Sequence, residues 1–183
     1  MKNTMRIRRL LSLVFVAAAS WLATAYWFGR EIPDPSIQER TFASSLLGES
    51  RTYFVHLPDS YVRSPTQRYP VIYVLDGTSQ STHTAASAEV MARIGAMPEA
   101  IVIGIPSGDK RNRDYTPAGM RQDSDEANSP DGEAARFLGF LQRELIPHVE
   151  REFRASDMRV LAGNSRGGLF VVHALTTQPA LFD

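Results

Sequence analysis

Met158-Arg159-Val160-Leu161-Ala162-Gly163-Asn164-Ser165-Arg166-Gly167-Gly168 decides how this chain is read. An apolar run, Met158–Ala162, stops at a glycine-bounded pentapeptide, and a second apolar stretch, Gly168–Leu175, follows at once. The first reads as a buried strand and the second as a buried helix. Gly163-Asn164-Ser165-Arg166-Gly167 between them fits G-x-S-x-G, the pattern of a nucleophilic serine on a tight strand-to-helix turn. In that geometry neighbouring chain passes close on both sides of the serine, and Gly163, Gly167 and Gly168 remove the side chains that would clash. The helix that follows points its N-terminus at the turn and favours developing negative charge.

Working outward, the same alternation recurs. Pro70–Leu75 is a continuous β-branched and aromatic run ending at Asp76-Gly77, and Ala100–Ile105 is another. Both read as strands buried on two faces, as in a parallel sheet. Thr84–Met97 carries Ala88, Met91, Ala92 and Gly95 at helical spacing. Phe137, Leu138, Leu141, Leu145, Val149 and Phe153 stripe a long helix over about 131–153, which Pro147 should kink. Phe42–Leu47 and Arg51–Leu57 alternate like the arms of a hairpin around Gly48-Glu49-Ser50. Lys110–Gly132 is polar and reads as an irregular surface loop or lid. The order β-β-β-α-β-α-β-α predicts an α/β domain with a mostly parallel sheet and flanking helices.

A serine needs a base, an orienting carboxylate and two N–H donors for the oxyanion. One donor is the backbone of Arg166, the residue after the serine. The other should come from the turn after the earlier buried strand, with Thr78 as the candidate. Arg111, Arg113 and Asp114 fall at the carboxyl end of the Ala100–Ile105 strand, where such sheets bind ligands. Arg111 or Arg113 is a candidate to meet an anionic or polar substrate group, the alternative being that the loop is held by internal bonds.

The chain has 183 residues, of which 43% are hydrophobic and 22% charged, enough for one packed domain. Residues 1–30 hold five basic side chains and no acidic one. Residues 31–183 then carry 15 basic and 20 acidic groups, a net of about −5 that gives no reason to expect nucleic-acid binding. There is no cysteine, which excludes disulfides, thiolate metal sites and a cysteine nucleophile. No metal site is legible and no cofactor is expected.

Residues 1–30 read as a targeting segment. A basic stretch at Arg6–Arg9 precedes an uncharged run, Leu10–Phe28. Ala23-Thr24-Ala25 offers a cleavage site for a signal peptide, whereas the length of residues 10–28 and its Trp21, Tyr26 and Trp27 suit an uncleaved membrane anchor. Either reading exports the body, to a periplasmic or secreted location or to the outer side of the inner membrane. Residues 31–40, opening with Glu31-Ile32-Pro33-Asp34-Pro35, read as a linker, and residues 41–183 as the body.

Several of these stretches together resemble the "putative esterase" branch of the α/β-hydrolases. They are Tyr69–Gly77, Arg113-Asp114-Tyr115-Thr116-Pro117, the segment Phe140–Phe153 with Glu144-Leu145-Ile146-Pro147, and the Ser165 turn. That branch is similar to enterochelin-type siderophore esterases, S-formylglutathione hydrolase, feruloyl esterases and mycobacterial mycolyltransferases. The likeness runs from about Thr41 to Asp183. Histidine commonly precedes the serine in this branch; here Asn164 stands in its place. The resemblance implies an α/β-hydrolase fold, a small-molecule ester substrate and an acyl-serine intermediate.

In this fold the triad runs serine, acid, histidine in chain order. His173 lies eight positions beyond Ser165, about 12 Å along the same helix, and His56, His83 and His148 precede the serine. The acid and histidine, and the fold's C-terminal strands, are therefore expected to be missing. The chain reads as an inactive N-terminal piece of an esterase, the alternatives being a degenerate product or a sheet completed by a second chain. An acyltransferase on the same serine and a non-catalytic binding domain are the rival functions.

Overall fold

The structure is a computed structural model that describes residues 37–120 and 131–183. The segment read as signal peptide or anchor, residues 31–36 of the linker and residues 121–130 of the polar loop lie outside the described residues. Among the described residues no helix is long and apolar enough to cross a membrane.

Five strands form one sheet in the order β1-β2-β4-β3-β5. β1 (Ile37–Ser44) and β2 (Glu49–His56) make the hairpin, Phe42 facing Arg51. Gly48, at φ 69°, closes its turn by donating its N–H to the Ser44 carbonyl at 3.0 Å. The strand starts at Ile37, so residues 37–40 belong to it and not to the linker. β2 runs antiparallel to β4 (Ile101–Ile105), and β4 and β5 (Ala155–Ala162) flank β3 (Tyr69–Leu75) in parallel. Every residue of β4 is buried, as its unbroken apolar run requires. β5 is an edge of the described sheet; it is half-exposed along most of its length and pairs with β3 alone.

Successive residues of a strand point to opposite faces, which divides the core. Val74 and Val102 pack with Ala88 of α1 (Gly77–Arg93) on one side. Tyr73, Ile101 and Ile103 face the other helices. Helix α1 begins seven residues before the predicted Thr84. Its first turns touch β4 through Gly77 and Ser81 against Gly104, where any added Cβ at either glycine would collide. Contact through such small residues leaves no apolar period to read.

The polar loop also holds structure. A 3-10 turn (Gly108–Lys110) leads into the short α2 (Arg111–Tyr115), with Asp114 and Tyr115 buried. The long helix is α3 (Ala134–Phe140), a π-helical turn (Leu141–Leu145) and α4 (Ile146–Glu152). Pro147 has no N–H to give, and the ladder widens just before it, Ile146 donating to the carbonyl of Leu141 five residues back. Within the π turn, Glu144 accepts the N–H groups of Ser45 and Leu46 at 3.1 Å each and the Ser44 hydroxyl, fixing the hairpin turn. Helix α5 (Arg166–Thr177) buries Gly167, Phe170 and Ala174. Phe170 meets Phe137 at 5.2 Å and Tyr115 at 5.8 Å between ring centroids.

Arg113 and Asp114 lie in an ion-pair cluster under β2. Asp114, 1% exposed, pairs with Arg51 and with Arg113 at 2.8 Å; Glu49 accepts from Arg113 at 2.6 Å and Arg51 at 2.9 Å. These ion pairs hold the stretch by internal bonding. Removing one member of a buried cluster strands the others. Asp114→Ala is thus expected to lower the unfolding free energy by about 3–5 kcal/mol in urea titrations; a change near zero would contradict the role. The hydrogen bond from Arg113, opposed by burial and aided by the charge of Arg51, holds the Glu49 carboxyl below its ordinary 4.5. With the folded value the lower, this stabilisation is complete above pH 4.5 and is lost as pH falls through the folded value. Glu49→Gln should flatten that acid limb of stability; an unaltered limb would refute the assignment.

Candidate active site

Two residues other than glycine have positive φ among the described residues: Asp76 at 54° and Ser165 at 54°. They occupy equivalent places. Asp76 follows β3 and precedes α1; Ser165 follows β5 and precedes α5. Since β3 and β5 are parallel neighbours, the two turns stand side by side at the carboxyl edge of the sheet. The helices they start pack on opposite faces, α1 with Val74 and α5 with Tyr115 and Phe137. That is the switch-point crevice of an open α/β sheet, where ligands bind.

Ser165 has φ 54° and ψ −119° and is exposed. A residue held there costs about 1–3 kcal/mol and persists only where its surroundings enforce it. The enforcement is visible at Gly163. A Cβ there would sit 2.6 Å from the carbonyl carbon and oxygen of Gly167. At Gly167 the equivalent atom would make only ordinary contacts, 3.5 Å to Asp76 Oδ2 and 3.6 Å to Leu75, and at Gly168 it would meet nothing closer than 3.6 Å. Of the glycines read as clearing the turn, sterics demand Gly163 alone. Within the turn Gly167 donates to the Asn164 carbonyl at 2.8 Å, and Leu169 to that of Ser165 at 3.1 Å.

Thr78 is the second residue of α1 and Arg166 the first of α5. First-turn N–H groups have no partner within their own helix, and both helix N-termini favour negative charge. The first-turn N–H groups of α1 and α5 thus lie at the same edge of the sheet as the exposed Ser165.

A set of bonds that sequence reading missed ties the two turns together. The Asp76 carboxylate accepts from Arg111 twice, Nε to Oδ1 at 2.9 Å and a terminal nitrogen to Oδ2 at 3.0 Å, and from the Ser107 hydroxyl at 2.8 Å. The same terminal nitrogen of Arg111 donates to the Asn164 carbonyl at 3.2 Å. The Asp76 N–H donates to the Tyr115 hydroxyl at 3.0 Å, and the Arg166 guanidinium to Thr116 Oγ1 at 2.9 Å. The Asp76 hydrogen bonds raise Arg111 above its ordinary value, and burial pushes the Tyr115 hydroxyl up to about 12. Arg111 therefore faces the crevice with its charge already matched. Asp76-Gly77 at a strand end was the one available signal.

The histidines stand elsewhere. His148 is bonded to the Tyr53 hydroxyl at 2.9 Å, His56 pairs with Val102 in the sheet, His83 is exposed on α1, and His173 packs on Phe170 within α5. Among the described residues no group of His, Asp and Glu is arranged to hold a metal.

A family model described as "Putative esterase" matches residues 44–183. Ferri-bacillibactin esterase BesA of Bacillus subtilis (strain 168) is 30% identical over 167 residues, covering 81% of this chain and 56% of that protein. Among solved structures, an IroE-like serine hydrolase from Shewanella oneidensis is 38% identical with a TM-score of 0.70, over 80% of this chain and 48% of that one. The siderophore hydrolase EstA from Aspergillus nidulans is 26% identical with a TM-score of 0.66, over 84% and 58%. The chain spans 54–58% of the length of three Bacillus subtilis relatives that it matches, BesA among them.

The steric asymmetry of the turn is testable. Gly163→Ala should destabilise the fold by about 1–3 kcal/mol, whereas Gly167→Ala should shift it by less than about 1 kcal/mol. Equal costs in chemical denaturation would show that the 163–167 approach is not the constraint.

Proposed function

The chain belongs to the putative esterase family, and from that premise we propose that it carries the nucleophile half of a serine carboxylic-ester hydrolase. The observation that supports this most is the backbone of Ser165, held at φ 54° on an exposed turn at the switch-point crevice. The serine oxygen attacks the ester carbonyl, and its proton passes to a base. The N–H groups of Thr78 and Arg166 hold the oxyanion. The alcohol leaves with a proton, and water then cleaves the acyl-serine to acid and free enzyme.

Since the described histidines stand away from the turn, the base and its orienting carboxylate have to be brought to Ser165. The 183-residue chain by itself is expected to hydrolyse esters far more slowly than a protein in which both are present. The substrate is a small-molecule ester. Siderophore esters are the first class to assay, because relatives of this chain are named for that activity. The leader read in residues 1–30 puts this chemistry outside the cytoplasm.

The test uses the protein as its own cell makes it. A fluorophosphonate should label it on the tryptic peptide Val160–Arg166, the one that contains Ser165. Ser165→Ala should abolish both labelling and ester turnover. A protein that hydrolyses esters while this peptide stays unlabelled would overturn the reading.

A further inference from the structure

Arg111 bonds two turns that are remote from each other in the chain. Its fork grips both oxygens of Asp76, and one of the two nitrogens also reaches the carbonyl of Asn164, the residue before Ser165. Asp76 needs such a grip. It sits at φ 54° and ψ 42°, a conformation that a non-glycine residue holds only when its surroundings fix it. Its carbonyl accepts the N–H groups of Ser79 and Gln80 at 3.0 Å each, so its orientation sets the first turn of α1 and with it the direction of the Thr78 N–H. Ser107 and Tyr115 complete the hold.

We infer that Arg111 is a positioning residue, holding the Thr78 turn and the Ser165 turn at the spacing that lets their N–H groups converge on one oxyanion. This rests on Ser165 being the nucleophile. The guanidinium is suited to the task because it is planar, always charged and able to make two parallel bonds to a carboxylate while a third N–H points elsewhere. An ammonium offers one centre and cannot reproduce that spacing. A donor displaced by about 1 Å can cost roughly 100-fold in rate. The loss should appear in kcat with KM little changed, because the oxyanion forms only on the way to the transition state.

The experiment uses the complete natural protein with p-nitrophenyl acetate as probe, active sites being counted by fluorophosphonate titration. Arg111→Ala should lower kcat per titrated site roughly 100-fold at near-constant KM. Arg111→Lys should fail to restore it, and added guanidinium ion should restore part of it in Arg111→Ala. Should Arg111→Ala not fold, Asp76→Asn, which keeps the side-chain shape and removes the charge, should show the same fall. An unchanged kcat per titrated site, or full recovery with Lys, overturns the inference by making Arg111 a stabilising residue only. A raised KM at constant kcat overturns it by placing Arg111 on the substrate. Turnover surviving in Ser165→Ala overturns the nucleophile reading as well, so the two failures are distinguishable.

Discussion

The carboxylate of Asp76 is the point on which this structure turns. It follows strand β3, in a left-handed conformation, and accepts hydrogen bonds from Ser107 and from both arms of the Arg111 fork. Those donors come from the segment after β4, and Arg111 goes on to the segment after β5. Three loops at the carboxyl edge of the sheet are thereby fixed relative to one another by one charged pair. Tyr115 adds a link from the same turn into the aromatic core, its hydroxyl on the Asp76 N–H and its ring on Phe137 and Phe170. Side-chain bonds thus set the crevice where the backbone ladders of the sheet have ended.

Close backbone approach is the second constraint, and it is met by leaving side chains out. Gly163 lets β5 fold back against Gly167, and Gly77 with Gly104 lets α1 lie directly on β4. The first contact presents Ser165; the second aims the α1 N-terminus at the same crevice. Both turns, with strained residues of equal φ, come from neighbouring parallel strands whose helices leave on opposite faces. The sheet topology places both helix N-termini at one edge of the sheet, and the glycines permit the close backbone approaches behind them.

What was legible in the sequence follows from these causes. Strands β3 and β4 are buried on both faces, so their apolar runs announce them. The stripe Phe137, Leu138, Leu141, Leu145 and Val149 is buried as its spacing requires. Membership of the esterase family was readable from Tyr69–Gly77 and the Ser165 turn, because backbone geometry there restricts which residues fit. The start of α1 was hidden because Gly77 and Ser81 make its contacts. Helix α2 was hidden because ion pairs between residues far apart in the chain, Arg51 with Asp114 and Arg111 with Asp76, hold it. The π turn before Pro147 relieves a clash that sequence reading expected to appear as a kink. Gly167 was assigned a steric need that the structure gives to Gly163 alone.

Under the proposed function, the Ser165 hydroxyl and the N–H groups of Thr78 and Arg166 form one catalytic unit. A crystal structure of the natural protein inactivated with a phosphonate ester tests this directly. Phosphorus should be bonded to Ser165 Oγ, with its oxygen about 2.7–3.1 Å from both nitrogens. Phosphorus on another side chain, or an oxygen turned away from these two donors, would contradict it.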